Sequence, residues 1–295
     1  MNSEQLKRMQ NDKGFIAALD QSGGSTPKAL ELYGVMKDSY SNDEEMFNLV
    51  HEMRKRIICD KAFNKDRILA AILFKVTMNS KIDGKYTADY LWEDKGVVPI
   101  LKVDEGLAER SNGVCLMKPM AHLDELLENA KDRHIFGTKM RSVIYEYNEE
   151  AIKEVVDQQF DYAMKIFGAG FVPIIEPEVD IHAKDKAKIE DILSIYMVEA
   201  LKDIPDDYKF IFKLTLPEEA GHYDVLLDYP QTVRIVALSG GYSRDEANEK
   251  LKANKNVIAS FSRALAQGLN VNDTDEEFTN KLDKSIEEIY EASIS

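Results

Sequence analysis

Along the 295 residues, short apolar and β-branched runs alternate with longer stretches whose apolar positions recur every three or four residues. The short runs predict eight strands, at 14–20, 67–74, 98–103, 140–147, 171–178, 208–216, 232–239 and 257–261. Helical spacing covers 43–58, 123–132, 186–201 and 244–253. After Asn148 as an N-cap, Ile152, Val155, Val156, Ala163 and Phe167 fall on one face, with Gly168 as the expected stop. The segment 218–227 has room only for a short helix. Beyond the last strand, 274–292 predicts a surface helix that buries Phe278, Leu282, Ile286 and Ile289 or Tyr290. Strands alternating with helices imply parallel pairing through crossovers, and eight is the number that closes a ring. The expected fold class is therefore α/β, a (β/α)8 TIM barrel in a single domain over 1–295, with an N-terminal and a C-terminal helix added. A doubly wound open sheet shares the alternation. It is disfavoured because the first strand runs into Asp20-Gln21-Ser22-Gly23-Gly24-Ser25 and not into G-x-G-x-x-G.

One position breaks the apolar pattern. In the sixth run Phe210, Phe212 and Leu214 share one face, while Lys209, Ile211, Lys213 and Thr215 share the other. A lysine facing an interior must find partners there or lose its proton, and a neutral amine attacks carbonyls. The bland alternative is a solvated lysine on an edge strand.

Composition narrows the setting. With 53 acidic and 38 basic residues the formal charge is −15, which argues against nucleic acid or an anionic membrane as partner. A local cationic cluster can still bind an anionic small molecule. Cys59 and Cys115 have no metal or redox spacing, and no segment has the makeup of a signal peptide or a membrane span. The expectation is a cytoplasmic protein; the oligomeric state is left open.

In a barrel, chemistry collects at the C-terminal ends of the strands. The first strand closes on Asp20, the third on Lys102 and Asp104, and the fourth carries Lys139 and Arg141. The fifth carries Glu176 and Glu178, the sixth Lys213, the seventh ends in Ser239-Gly240-Gly241, and Arg263 follows the eighth. Parity puts Asp20 with Ile16 and Ala18, and Glu176 with Val172 and Ile174. Lys102 and Lys139 near Lys213 would disfavour its proton, Glu176 could expel water during imine formation, and Asp20 could take a hydroxyl proton. Ser239-Gly240-Gly241 has the small side chains that let backbone N–H groups wrap an anion, and Ser243 with Glu246 has capping-box spacing. Glu176, Glu178, Asp180 and His182 alternate, but residues spaced by two spread over roughly 20 Å of extended chain. No metal is expected; His51, His122, His134 and His222 show no ligand spacing.

The stretches GFIAALDQSGGS, KGVVPILKVDEGLAER, GTKMRSVI, FVPIIEPE, IFKLTLP, VALSGGYSRDEA and SFSRAL, in this order, resemble the class I, Schiff-base-forming fructose-1,6-bisphosphate aldolases. The resemblance implies a lyase of glycolysis and gluconeogenesis that cleaves fructose 1,6-bisphosphate to dihydroxyacetone phosphate and glyceraldehyde 3-phosphate, without a cofactor. It implies Lys213 as the imine lysine, Glu176 as its acid/base partner, Glu178 orienting the lysines, Asp20 handling the hydroxyl proton and Lys139 assisting. Ser239, Gly240, Gly241 and Arg263 match one phosphate site, Lys102, Ser22 and Ser25 the other, and Arg141 joins the substrate contacts. Gln21 stands where animal-type enzymes have glutamate, Ser262 where they have glycine, and Ala29 replaces an arginine. The animal C-terminal tail with its terminal tyrosine has no counterpart, Tyr290 is expected to pack, and the group exchanging the C3 proton is open. The alternatives are a lysine aldolase for another sugar phosphate, such as tagatose bisphosphate, and a noncatalytic sugar-phosphate-binding barrel.

Overall fold

Strand parity organises the molecule. A computed structural model of the chain describes residues 2–22 and 25–295; Gly23, Gly24 and the Ser25 side chain lie outside the described residues, as does Met1. Among the described residues, the main sheet has eight parallel strands, β1 Phe15–Leu19, β2 Ile68–Leu73, β3 Val98–Lys102, β4 Gly137–Ile144, β5 Val172–Val179, β6 Phe210–Thr215, β7 Thr232–Leu238 and β8 Val257–Phe261, with the two-residue segment Val114–Cys115 added antiparallel to the end of β4. Each pairs with the next, and β8 returns to β1, so the sheet closes into the (β/α)8 barrel. Outward residues such as Phe15, Leu19, Phe210, Phe212 and Leu214 pack under the helices. Inward residues, among them Ile16, Ala18, Ile72, Ile100, Ile174, Ile211, Val236 and Ile258, form a second apolar core inside the ring.

The helices are α1 Ser3–Asn11, α2 Ser25–Leu32, α3 Asp43–Cys59, α4 Lys75–Asn79, α5 Thr87–Glu93, α6 Leu123–Lys131, α7 Glu149–Gly168, α8 Lys186–Lys202, α9 Arg244–Ala253, α10 Arg263–Ala266 and α11 Asp275–Ile294. Those at 43–58, 123–132, 186–201, 244–253 and 274–292 stand close to their predicted bounds, and four short ones, α2, α4, α5 and α10, are additional. Asn2 caps α1 through Glu4 and Gln5 N–H groups, and the helix sends Met9, fully buried, into the lower end of the barrel. On α11, Phe278, Leu282, Ile286 and Ile289 are buried, with Ser285, Ala292 and Ser293, and Tyr290 is half-buried. The link 218–227 holds a 3-10 turn, Asp224–Asp228.

Two boundaries differ from expectation. β4 begins three residues before the predicted 140–147 run. At Gly137 a Cβ would stand 2.1 Å from the Val172 carbonyl oxygen, so only glycine admits the close approach of β5. At the other end the Tyr145 and Glu146 N–H groups both donate to Gly113 O, at 2.8 and 3.1 Å, which takes the aromatic tail of the run out of the barrel. The second difference is in α7, which passes through Gly168 and turns at Ala169 and Gly170, whose N–H groups bond back to Lys165, Ile166 and Phe167 carbonyls. Ile166 takes the last buried position, while Phe167 is half-buried against Tyr208, ring centroids 4.6 Å apart.

Candidate active site

The inward rows that are apolar low in the barrel become charged near its C-terminal mouth. Asp20, Lys139, Glu176 and Lys213 are all at least nine-tenths buried. Burying charges in this way is tolerable only if they pair. Lys213 Nζ lies 3.0 Å from Glu176 Oε1, Lys139 Nζ lies 3.2 Å from Glu176 Oε2, and Lys139 Nζ reaches Asp20 Oδ2 at 2.6 Å. The four groups form one chain, Asp20 to Lys139 to Glu176 to Lys213. Glu176 Oε2 has an ion-pair contact but no well-aligned hydrogen bond, so one oxygen at the centre of the chain retains accepting capacity.

The local backbone explains how β5 and β6 present this pair. β4 and β5 stay in register over their whole length, from Gly137 opposite Val172 to Ile144 opposite Val179. β5 and β6 pair only at Ile174 with Ile211 and at Ile175 with Phe212. Pro177 brings no N–H to that edge, and the Thr215 hydroxyl takes over, accepting from Val179 N–H at 2.9 Å and donating to Val179 O at 2.7 Å. The seam therefore opens at the height of Glu176 and Lys213. Behind it Gln159 of α7, fully buried, donates to Ser142 Oγ and to the Glu176 carbonyl.

Electrostatics follow from the chain of charges. Burial pushes the Asp20 carboxyl up, but Lys139, Lys213 and Lys102 together outweigh it and hold the group well below the usual carboxylate range. Burial likewise opposes the charge on Lys139, and the carboxylates of Asp20, Glu176 and Asp104 more than reverse this. Glu178, for which the resemblance implies a role in orienting the lysines, pairs with Arg141, Oε2 to Nε 2.6 Å; burial raises its carboxyl despite that arginine. Lys102 turns back to its own loop, with Nζ donating to Asp104 Oδ1 at 2.6 Å and to Asp104 O at 2.8 Å.

A second group lies beside the first. Gly240 and Gly241 have φ of 59° and 121°, left-handed conformations that suit glycine, and both are covered by the Ile181 side chain. The Arg263 guanidinium stands over Gly241, 3.7 Å from the position of a Cβ there. Ser239 is buried at the start of this turn, and Ser243 opens α9 with the anticipated capping box to Glu246. Main-chain N–H groups of the turn, a helix N-terminus and a guanidinium make an anion cradle. Ser22 follows β1, the neighbour of β8 in the closed sheet, and Ser25 opens α2 with its side chain outside the described residues.

Arg54 was not anticipated. It is fully buried on α3, donating to Thr77 Oγ1 at 2.7 Å, to Gln21 O at 2.5 Å and to Gln21 Oε1 at 3.3 Å. Burial lowers its guanidinium to about 10, with Asp20 acting in the opposite sense. The signal was present: Arg54 lies four residues after Val50 and three before Ile57, on the apolar stripe of its helix. Gln159 occupies the same kind of position between Val156 and Ala163. Among the described residues no group of three or more His, Cys, Asp or Glu is arranged to hold a metal ion.

The family model for fructose-bisphosphate aldolase class-I matches residues 3–205. The fructose-bisphosphate aldolase class 1 of Clostridium acetobutylicum is 60% identical over 295 residues, covering 100% of both chains. This chain belongs to the class I fructose-bisphosphate aldolase family. An enzyme of this family is a lyase, and the family's barrel is seen in the solved fructose-bisphosphate aldolase of Plasmodium falciparum, crystallised with TRAP and a small-molecule inhibitor. That structure shares the fold with a TM-score of 0.75 at 18% identity, over 99% of this chain and 93% of its own. No helix among the described residues of this aldolase is long and apolar enough to cross a membrane.

Proposed function

We propose that Lys213 is the imine-forming lysine of a reversible cleavage of fructose 1,6-bisphosphate to dihydroxyacetone phosphate and glyceraldehyde 3-phosphate. The observation that carries the assignment is the buried contact of 3.0 Å between Lys213 Nζ and Glu176. A carboxylate in contact can take the proton that an ammonium must lose before attacking a ketone, then return it as the carbinolamine expels water. The resulting iminium accepts the electron pair of the C3–C4 bond as that bond breaks, leaving an enamine on Lys213. The C4 hydroxyl proton leaves to Asp20. A carboxylate held as the anion by neighbouring cations is a weak base, yet it suffices here: as the bond breaks, the hydroxyl becomes that of a protonated carbonyl, a strong acid. Lys139 between Asp20 and Glu176 keeps both carboxylates oriented toward this step.

Ser239, Gly240, Gly241 and Arg263 are read as holding one phosphate, and Lys102, Ser22 and Ser25 the other. Arg141, fixed by Glu178, is read as a substrate contact at the rim. Cationic side chains gathered at one mouth of a chain with formal charge −15 support an anionic substrate. A cytoplasmic setting is supported by Cys59 and Cys115 being free thiols.

Borohydride added with dihydroxyacetone phosphate should reduce the imine, inactivate the enzyme and add the ligand mass to the peptide containing Lys213. Mass added to another lysine, or none, removes the assignment. Turnover of fructose 1,6-bisphosphate should be the same with and without EDTA, and comparison with tagatose 1,6-bisphosphate fixes the stereochemical preference.

A further inference from the structure

Two positions at which the sequence departs from the animal-type pattern, Gln21 and Ser262, touch each other. Gln21 Nε2 donates to Ser262 Oγ at 2.5 Å. The amide has only one orientation available: Arg54 has donors and no acceptors, so Oε1 must face the guanidinium and the amide NH2 must face the serine. Arg54 also bonds the Gln21 carbonyl, and its Nε is buried without a hydrogen-bond partner. Among the described residues no carboxylate lies within ion-pair distance of Arg54, so all of its contacts serve to hold neutral groups.

The contact joins two loops that the sheet does not hold together. β1 and β8 pair only at Ile16 with Ser260 and at Ala17 with Phe261. Above that point the strands part. Gln21 lies between Asp20 and Ser22 on one side of the gap, and Ser262 immediately precedes Arg263 on the other. The Arg263 guanidinium reaches the Gly241 turn, one proposed phosphate position, while Ser22 belongs with the other.

We propose that Gln21, oriented by Arg54 and bonded to Ser262, is a specificity-determining latch. It sets the separation of the two phosphate-holding loops, so that a sugar phosphorylated at both ends is favoured over one phosphorylated at C1 alone. This rests on the aldolase reading above. A substrate with a single phosphate engages one loop only and is indifferent to the spacing.

The test uses the full-length enzyme with fructose 1,6-bisphosphate and fructose 1-phosphate, and the variants Ser262→Ala, Gln21→Ala and the two combined. Each single variant should lower kcat/KM for the bisphosphate about tenfold, the scale of one lost hydrogen bond, and chiefly through KM. Cleavage of fructose 1-phosphate should stay within about twofold, which also reports that the fold is intact. The combined variant should be no worse than either single one, because both remove the same contact. Gln21→Glu should keep the preference, since a carboxylate accepts from Arg54 and from the Ser262 hydroxyl. Additive losses, equal losses on both substrates, or an unchanged preference in Ser262→Ala would each overturn the latch. Wild-type enzyme that cleaves neither sugar is a different result, a failure of the aldolase reading itself, and it is visible before any variant is made.

Discussion

Two buried lysine–carboxylate clusters in this molecule look alike by burial and differ in what their valences do. On α8, Lys186 Nζ meets Glu190 Oε1 at 2.6 Å, Leu216 O at 2.9 Å and Glu218 Oε1 at 3.2 Å, while the other Glu190 oxygen accepts the Glu218 N–H. The Lys186 ammonium has three oxygen neighbours, and both Glu190 oxygens accept a hydrogen bond. Inside the barrel, Lys213 has, among the described residues, the single carboxylate partner Glu176, whose second oxygen is shared with Lys139 and not fully satisfied. Both lysines are 4% exposed, so burial alone does not distinguish them. A saturated buried pair holds elements in place, here the end of β6 against α8. An unsaturated one at a strand end, facing the mouth of the barrel, is equipped to exchange protons.

Removing each cluster should therefore give opposite outcomes. Lys213→Met should lower kcat by at least about 10³-fold and abolish borohydride trapping, because it removes the proposed nucleophile; full activity in that variant sinks the mechanism. Glu176→Gln should lower kcat about 10²–10⁴-fold while the imine still forms slowly and can be trapped. Lys186→Met should instead destabilise the fold by about 3–5 kcal/mol, measured by urea unfolding, by leaving Glu190 buried and unpaired. Its kcat per folded molecule should remain within about twofold, and Lys186→Met combined with Glu190→Leu should recover most of the stability. If the Lys186 variant lost turnover with stability unchanged, the contrast between the two clusters would collapse.

The smallest effect concerns acid. Asp20 is depressed in the folded state, so the stability it contributes is present in full above the ordinary carboxylate value and is lost only as pH falls through its lower folded value. Lys139→Met removes the foremost of the charges that oppose burial, and the Asp20 carboxyl should rise. The acid limb of the stability profile should then move up by at least about one pH unit. An acid limb that does not move would show that Lys139 is not what holds Asp20 ionised.

Much of this is legible in the sequence. The eight strands and most helices follow from period, because a strand row facing a core repeats every two residues and a helix stripe every three or four. Asp20 and Glu176 are legible as charges on inward parity and Lys213 as a charge facing an interior, whereas Lys139 precedes the predicted 140–147 run and is legible only as a charge near the fourth strand. β4 was misplaced because Tyr145 and Tyr147 have strand-like side chains, whereas Gly137, which has none, begins the strand for a steric reason that depends on Val172 across the ladder. The ion-pair partner of Glu178 is not legible in the sequence. Parity places Glu178 on the same row as Glu176, yet Arg141 on the neighbouring strand reaches it first.

The order of apolar and polar positions by itself determined the barrel, the direction each strand residue faces and the one lysine that needed an interior explanation, since these depend on local periodicity and on the penalty for burying charge. Only the tertiary structure decided which carboxylate meets which ammonium, that Arg54 lies buried beneath Gln21, and that Gln21 meets Ser262. Hydrogen bonds and ion pairs act over a few ångströms between residues that can be hundreds of positions apart, and no period in the chain encodes that distance.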